Sequence, residues 1–275
     1  MSRFKLMRKA RAFMNETQKL TEKEIKHFIR LLKDVKNEIL QILRAQEPTE
    51  WQLWYYPQLK AEVDARIQEL QNRLVNEINK SSDKMIELTQ ENTNKLLVEG
   101  GFGVGGITVD PDTIEATKLL SGELIKTVPD YLKGKLANVL SLGLMGNKSV
   151  FQVINDIRQQ RIFDLTYGQI DRIVRTELMR TQSIIQHKTY QKVAEHLPKT
   201  RKIWLWSHKP KGREGHAEAE AYYTANPIPV NEPFSVRPGP GYPYEKLMFP
   251  RDPKGSAANV INCACMHTLV MEGTK

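Results

Sequence analysis

A chain of 275 residues that is 40% hydrophobic and 27% charged can bury the core of one or two globular domains, which excludes disorder as its overall state. Its 41 Lys and Arg against 32 Asp and Glu leave a formal charge of +9, a surplus that favours acidic partners such as nucleic acid or an acidic protein face. Two cysteines exclude a disulfide framework. The basic start MSRFKLMRKARAF lacks the apolar core of a signal peptide, and no apolar run is long enough to span a membrane. A soluble protein made in a reducing cytosol is expected.

The predicted fold class is α+β and predominantly α-helical, in three sections. Residues 1–99 form a helical arm. Its first 44 residues hold 12 Lys/Arg against 5 Asp/Glu, and Phe28, Leu31, Leu32, Val35, Ile39, Ile42 and Leu43 recur at helical spacing on one stripe. Pro48-Thr49 and the aromatic run WQLWYYP interrupt it. Val63, Ile67, Leu70, Leu74, Ile78, Met85 and Leu88 then step like a short coiled-coil seam, which fits a helical hairpin. GGFGVGG, with five glycines in seven residues, predicts a flexible linker over 100–109. It lacks the terminal Lys-Ser or Lys-Thr of a phosphate loop.

Residues 110–197 predict a helical bundle. Asp110-Pro111 offers an N-cap with Pro at the first helical position, and breaks fall at Pro129 and at Gly146-Asn147. Thr166 and Gln169 are spaced as a capping box ahead of a long helix. Ile170, Ile173, Val174, Thr181, Ile184, Ile185 and Val193 share one face of it, and it ends before Pro198. Residues 198–275 predict a small α+β unit. KIWLWS reads as a buried strand, eight of the chain's 14 prolines between Pro227 and Pro253 exclude regular helix there, and NVINCACMHTLVM closes the unit as a second strand.

The chemistry concentrates in this last section. On a strand, residues two apart face the same side, so Cys263 and Cys265 would present both sulfurs together. A disulfide between them would be strained. Buried structural thiols are the expectation, with no cofactor. The alternative is zinc on His208, His216, Cys263 and Cys265, since Zn²⁺ accepts two Cys and two His; His267 is a further histidine in the same section. In REGHAEAEAYY, Glu218 and Glu220 lie downstream of Arg213. Such carboxylates could stabilise an oxocarbenium-like centre in an ADP-ribosyltransferase, against a plain solvated helix. Lys199, Arg201, Lys202, Lys209, Lys211 and Arg213 interleave with Trp204 and Trp206, a pattern that fits phosphate gripping and base stacking, or core tryptophans flanked by solvated lysines. Arg3, Lys5, Arg8, Lys9 and Arg11, with no acid among them, are the candidate contacts to double-stranded DNA.

The order of these segments is itself informative. IVRTELMRTQSIIQHKTY, then KIWLWSHKPKGREGH, NEPF, PRDP and AANVINCAC, over about residues 120–270, resembles the phage Mu F-like minor head proteins, also called phage head morphogenesis proteins. The matching positions are Arg175, Thr176 and Glu177 on the long helix, Trp204 on the strand, Arg213 and His216, Phe234, and Asn262, Cys263 and Cys265. This sequence departs from the family in having Ala264 where an Arg is usual, and Ser207-His208-Lys209 where an Asp often follows the Trp strand. The resemblance implies a non-enzymatic minor capsid component inside the phage head. Such a protein would be made in the host cytoplasm, associate with the portal, and act in head assembly and in DNA packaging or ejection. Its partners would be the portal protein, DNA, and scaffold or capsid protein, without a membrane, and the basic arm could dock on the portal instead of DNA. Arg213, His216, Asn262, Cys263 and Cys265 are then expected to meet in one structural polar cluster. The competing class is an enzyme on the same C-terminal domain: a metal-dependent nuclease using His208, His216 and the thiols, or the transferase.

Overall fold

A computed structural model describes residues 3–45, 56–146, 148–209 and 212–273. The expected interruption at Pro48, most of the aromatic run after it, Asn147 and Lys211 lie outside those residues. The chain is mostly helical, with a small α+β region near its C-terminal end, as its patterning predicts. Among the described residues no helix is long and apolar enough to cross a membrane.

In chain order the helices are α1 (Arg3–Arg44), α2 (Tyr56–Glu99), α3 (Pro111–Ile125), α4 (Thr127–Met145), α5 (Val150–Gln159) and α6 (Ile162–His196). The C-terminal region then adds β1 (Thr200–Leu205), α7 (Glu214–Ala225), β2 (Ile228–Pro229), β3 (Phe234–Val236), β4 (Glu245–Leu247), α8 (Ala257–Val260) and β5 (Met266–Met271). Contacts divide the chain into two units that cut across the expected sections. The first comprises residues 1–22, 81–119 and 175–275; the second comprises 23–80 and 120–174.

The second unit is built on apolar helix faces. Phe28, Leu32, Val35, Ile39 and Leu43 on α1, and Leu59, Val63, Ile67, Leu70, Leu74 and Ile78 on α2, are all buried, as a core stripe at i, i+3/i+4 requires. His27 Nε2 meets Glu77 Oε2 at 3.0 Å. The helix starts differ from expectation. The capping box belongs to α5, where Ser149 and Gln152 satisfy each other's backbone N–H at 3.3 and 2.8 Å. Thr166 is instead buried inside α6, donating to the Ile162 carbonyl at 2.7 Å. The Thr-x-x-Gln spacing recurs within a helix that begins four residues earlier, after Arg161 in the left-handed region at φ 50°.

The first unit is organised by β1. Strands β2-β1-β5 form an antiparallel sheet in which Trp204 faces His267 and Ile203 faces Thr268 across β1 and β5. Alternation sorts β1 onto two cores. Ile203 and Leu205 join Leu6, Ala10, Phe13 and Met14 of α1 with Leu96, Leu97, Phe102, Tyr190 and Val193. Trp204 joins Ala219, Tyr223, Phe234, Val236, Cys263 and Cys265. The start of α1 is therefore part of the C-terminal core. The glycine-rich segment is anchored to the same unit: Phe102 is 5% exposed within that core, and the Asn94 side chain holds both the N–H and the carbonyl of Ile107.

Candidate functional site

The site forms where α7 and the segment between α8 and β5 meet beneath Trp204. Arg213 occupies the N-cap position of α7 and places His216 in its first turn. Gly215 permits this approach, because a Cβ there would lie 2.1 Å from the Arg237 carbonyl oxygen. The His216 ring packs edge-on against Trp204 at 5.3 Å between centroids. Its Nε2 lies 3.0 Å from Asn259 Oδ1 on α8. An amide oxygen can only accept, so Nε2 carries the proton and Nδ1 presents its lone pair.

That lone pair faces both thiols. Nδ1 is 3.4 Å from Cys265 Sγ and 3.6 Å from Cys263 Sγ, and all three side chains are buried. The cysteines are not on a regular strand, as the alternation argument assumed. β5 begins at Met266, and α8 with a left-handed Asn262 (φ 56°) precedes them. Their sulfurs converge through that turn. Cys263 is held below the usual thiol range by a hydrogen bond from the Cys265 thiol, helped by the nearby Arg251 guanidinium. Burial pushes Cys265 up.

Arg251, in the proline-bounded turn, fixes the backbone around them. Its guanidinium is wholly buried. Nη1 donates to the carbonyls of Cys263 (3.0 Å) and Cys265 (2.5 Å), and Nη2 to Gln182 Oε1 (2.8 Å) and Ser183 Oγ (2.5 Å) on α6. The helix motif connects to the same place. Thr176 Oγ1 accepts from the Asn262 N–H at 3.2 Å, and Glu177 pairs at 2.5 Å with Arg180, which donates to the Arg251 carbonyl at 3.3 Å. Burial raises the Glu177 carboxyl above its ordinary range. Arg175 is half-buried on the same helix.

The residues expected to meet do so. Arg213, His216, Asn262, Cys263 and Cys265 all line one cavity of ≈ 480 Å³, together with Trp206, Ser207 and Lys209. Arg213 Nη2 donates to the Ile261 carbonyl at 2.6 Å. The zinc alternative loses one of its four residues: His208 lies 3.1 Å from Glu220 Oε2 and is not among the clustered donors, which are His216, Cys263 and Cys265. His267 packs instead among His187, Tyr190 and Phe249. Sequence reasoning missed Asn259 and Arg251, because an Arg between two prolines reads as an exposed turn.

Other candidates are tied up within the first unit. Glu220, far from solvated at 13% side-chain exposure, accepts from Arg11 (2.6 Å) and from the Trp206 N–H (3.1 Å). Glu218 takes both ends of Arg237 at 3.0–3.1 Å. Trp204 is core, but Lys202 is buried rather than solvated, donating to the Met248 carbonyl at 2.7 Å over the Phe234 ring. Of the basic start, Arg3 donates to the Thr224 carbonyl at 2.8 Å, Lys9 pairs with Glu99, and Arg11 also reaches the Trp206 carbonyl at 3.1 Å. Lys5 and Arg8 are exposed.

No protein-family model matches the chain, and no solved structure does. It is 30% identical over 162 residues to the NAD(+)–arginine ADP-ribosyltransferase EFV of Enterococcus faecalis (strain ATCC 700802 / V583), covering 58% of this chain and 30% of that protein. It is 28% identical over 183 residues to the uncharacterized protein YqbB of Bacillus subtilis (strain 168), covering 60% of this chain and 53% of that protein. The chain thus spans a third to a half of the curated relatives it matches.

Proposed function

We propose that this protein is a portal-associated minor head protein of a phage, acting in head assembly and in DNA packaging or ejection. The observation that carries this reading is the convergence of its motif run. Thr176, Arg213, His216, Asn262, Cys263 and Cys265 are dispersed over 90 positions of sequence, as numbered, and link α6, α7 and the closing segment through buried and part-buried polar contacts. A cluster so placed ties three elements of the fold together. The test is association with the portal protein of the same phage. The two proteins co-expressed should elute together from size-exclusion chromatography, and separate elution at micromolar concentrations would count against the reading.

A second reading, ADP-ribosyl transfer to arginine, has a different support, and the comparisons favour it over the first. One relative carries that activity in its name, and neither name mentions a virion component. The matched stretch is 30% of that relative, so its activity need not reside in the shared part. A cavity of ≈ 510 Å³ lined by Glu218, Tyr222, Tyr223 and Tyr244 would accommodate it. Aromatic faces there could stack a nicotinamide, and Glu218, once released from Arg237, could stabilise an oxocarbenium-like centre. Incubation with labelled NAD⁺ and an arginine-rich acceptor decides it: transfer abolished by Glu218→Gln would establish the enzyme. The nuclease alternative predicts DNA cleavage that requires zinc.

A further inference from the structure

We infer that His216, Cys263 and Cys265 form a three-residue zinc site whose fourth position opens into the adjoining cavity. This does not rest on either reading of function. The donor atoms all lie within 4.8 Å of one another. In a tetrahedral site with Zn–S near 2.3 Å and Zn–N near 2.0–2.1 Å, nitrogen and sulfur stand about 3.5–3.6 Å apart. The distances from Nδ1 to the two sulfurs, 3.4 and 3.6 Å, match that spacing.

The surroundings are those a metal ligand needs. Asn259 fixes the His216 tautomer through Nε2, leaving Nδ1 to bind, as outer partners of ligating histidines do. Arg251 clamps the carbonyls of both cysteines, so the sulfurs are oriented from the backbone. The guanidinium finds neutral acceptors at 2.5–3.0 Å, and two thiolates beside it would offset its charge. Two thiolates and an imidazole select a borderline-soft ion such as Zn²⁺ over Mg²⁺ or Ca²⁺. Binding would displace the two thiol protons into solvent, with no change of oxidation state.

All three donor residues line the ≈ 480 Å³ cavity, whose other walls include Lys209 and Arg213. A fourth ligand would therefore arrive from the cavity as water or a small anion, favoured by the basic walls. His208 does not supply it, since it is held by Glu220.

The experiment uses the full chain, purified reduced and offered Zn²⁺ alone. One equivalent should survive gel filtration, and both thiols should lose reactivity towards a thiol reagent, a count made simple by the chain's having two cysteines. Replacement by Co²⁺ should give thiolate-to-cobalt charge transfer and tetrahedral d–d bands, and added inorganic phosphate should shift them. Asn259→Ala should weaken affinity about 10–100-fold, while His208→Ala leaves it unchanged. Wild-type protein that retains no zinc overturns the site. So does zinc retained by the Cys263→Ser/Cys265→Ser variant. A cobalt spectrum indifferent to phosphate overturns the open fourth position.

Discussion

Among the described residues, the buried polar ones of the second unit are Glu24, Ser121 and Thr166, whereas those of the first include Lys202, Arg251, Asp252, His187, His216, His267, Gln182, Gln186 and Asn259. Both units are largely helical, and both have apolar cores. The difference lies in what specifies them. The second unit rests on helix stripes, where substitution changes volume and little else. The first is fixed by directional bonds, where one lost partner strands several others.

The sharpest test of that contrast is Arg251→Leu. It strands the Cys263 and Cys265 carbonyls and the Gln182 and Ser183 side chains, so the first unit should lose about 3–5 kcal/mol. Reactivity of the buried thiols in a urea series reports that loss directly. Unchanged thiol protection would mean that the clamp is dispensable. The matching change in the second unit is Leu70→Ala, at a fully buried stripe position. It should cost about 3 kcal/mol by cavity formation, visible as faster amide exchange along residues 59–78 without added thiol reactivity.

Acid should separate the units next. Burial, with Lys202 and Lys188 nearby, lowers the His187 pKa to about 3, whereas an unfolded chain takes up that proton near 6.5. Its contribution is whole above pH 6.5 and is lost progressively as pH falls towards 3. About 2 kcal/mol should be gone by pH 5, and the wholly buried His267, also lowered by burial, adds in the same direction. His187→Phe should flatten the slope between pH 6.5 and 5; a slope that survives it would assign the effect elsewhere.

The smallest effects concern the basic start. Arg11→Ala removes the bonds to Glu220 and the Trp206 carbonyl, and should destabilise the first unit by about 1–2 kcal/mol. Arg8→Glu, at an exposed position, should leave stability within about 0.5 kcal/mol. If this exposed cation contacts DNA, the same change should flatten the salt dependence of DNA binding by about one charge's worth. An unaltered slope would leave the +9 surplus to another surface or another partner.

How much of this was legible varies with the kind of interaction. The stripes of α1 and α2 were, because Phe28 to Leu43 and Val63 to Ile78 repeat at a period set by helix geometry. The meeting of Arg213, His216 and the cysteines was legible through the resemblance of the motif run to the Mu F-like head proteins, not from residue spacing alone. Arg251 was not. A Pro-Arg-Asp-Pro turn has no feature that distinguishes a solvated arginine from a buried one, and its partners lie 68 and 69 positions away on α6. The placement of Leu6 to Met14 against β1 was equally hidden, because an apolar stripe states which side is covered and not by what.

That placement has a consequence for how the chain is made. Arg11 binds Glu220 across 209 positions. At about 5–20 residues per second, a ribosome needs roughly 10–40 s between making the two. Throughout that interval the apolar face of Leu6, Ala10, Phe13 and Met14 has left the exit tunnel without the strands that cover it. Residues 23–80 and 120–174 are complete by then, so the second unit can form during translation while the first must await β5. The apolar face of Leu6 to Met14 is thus made well before the strands that bury it, and in that interval it is open to a chaperone.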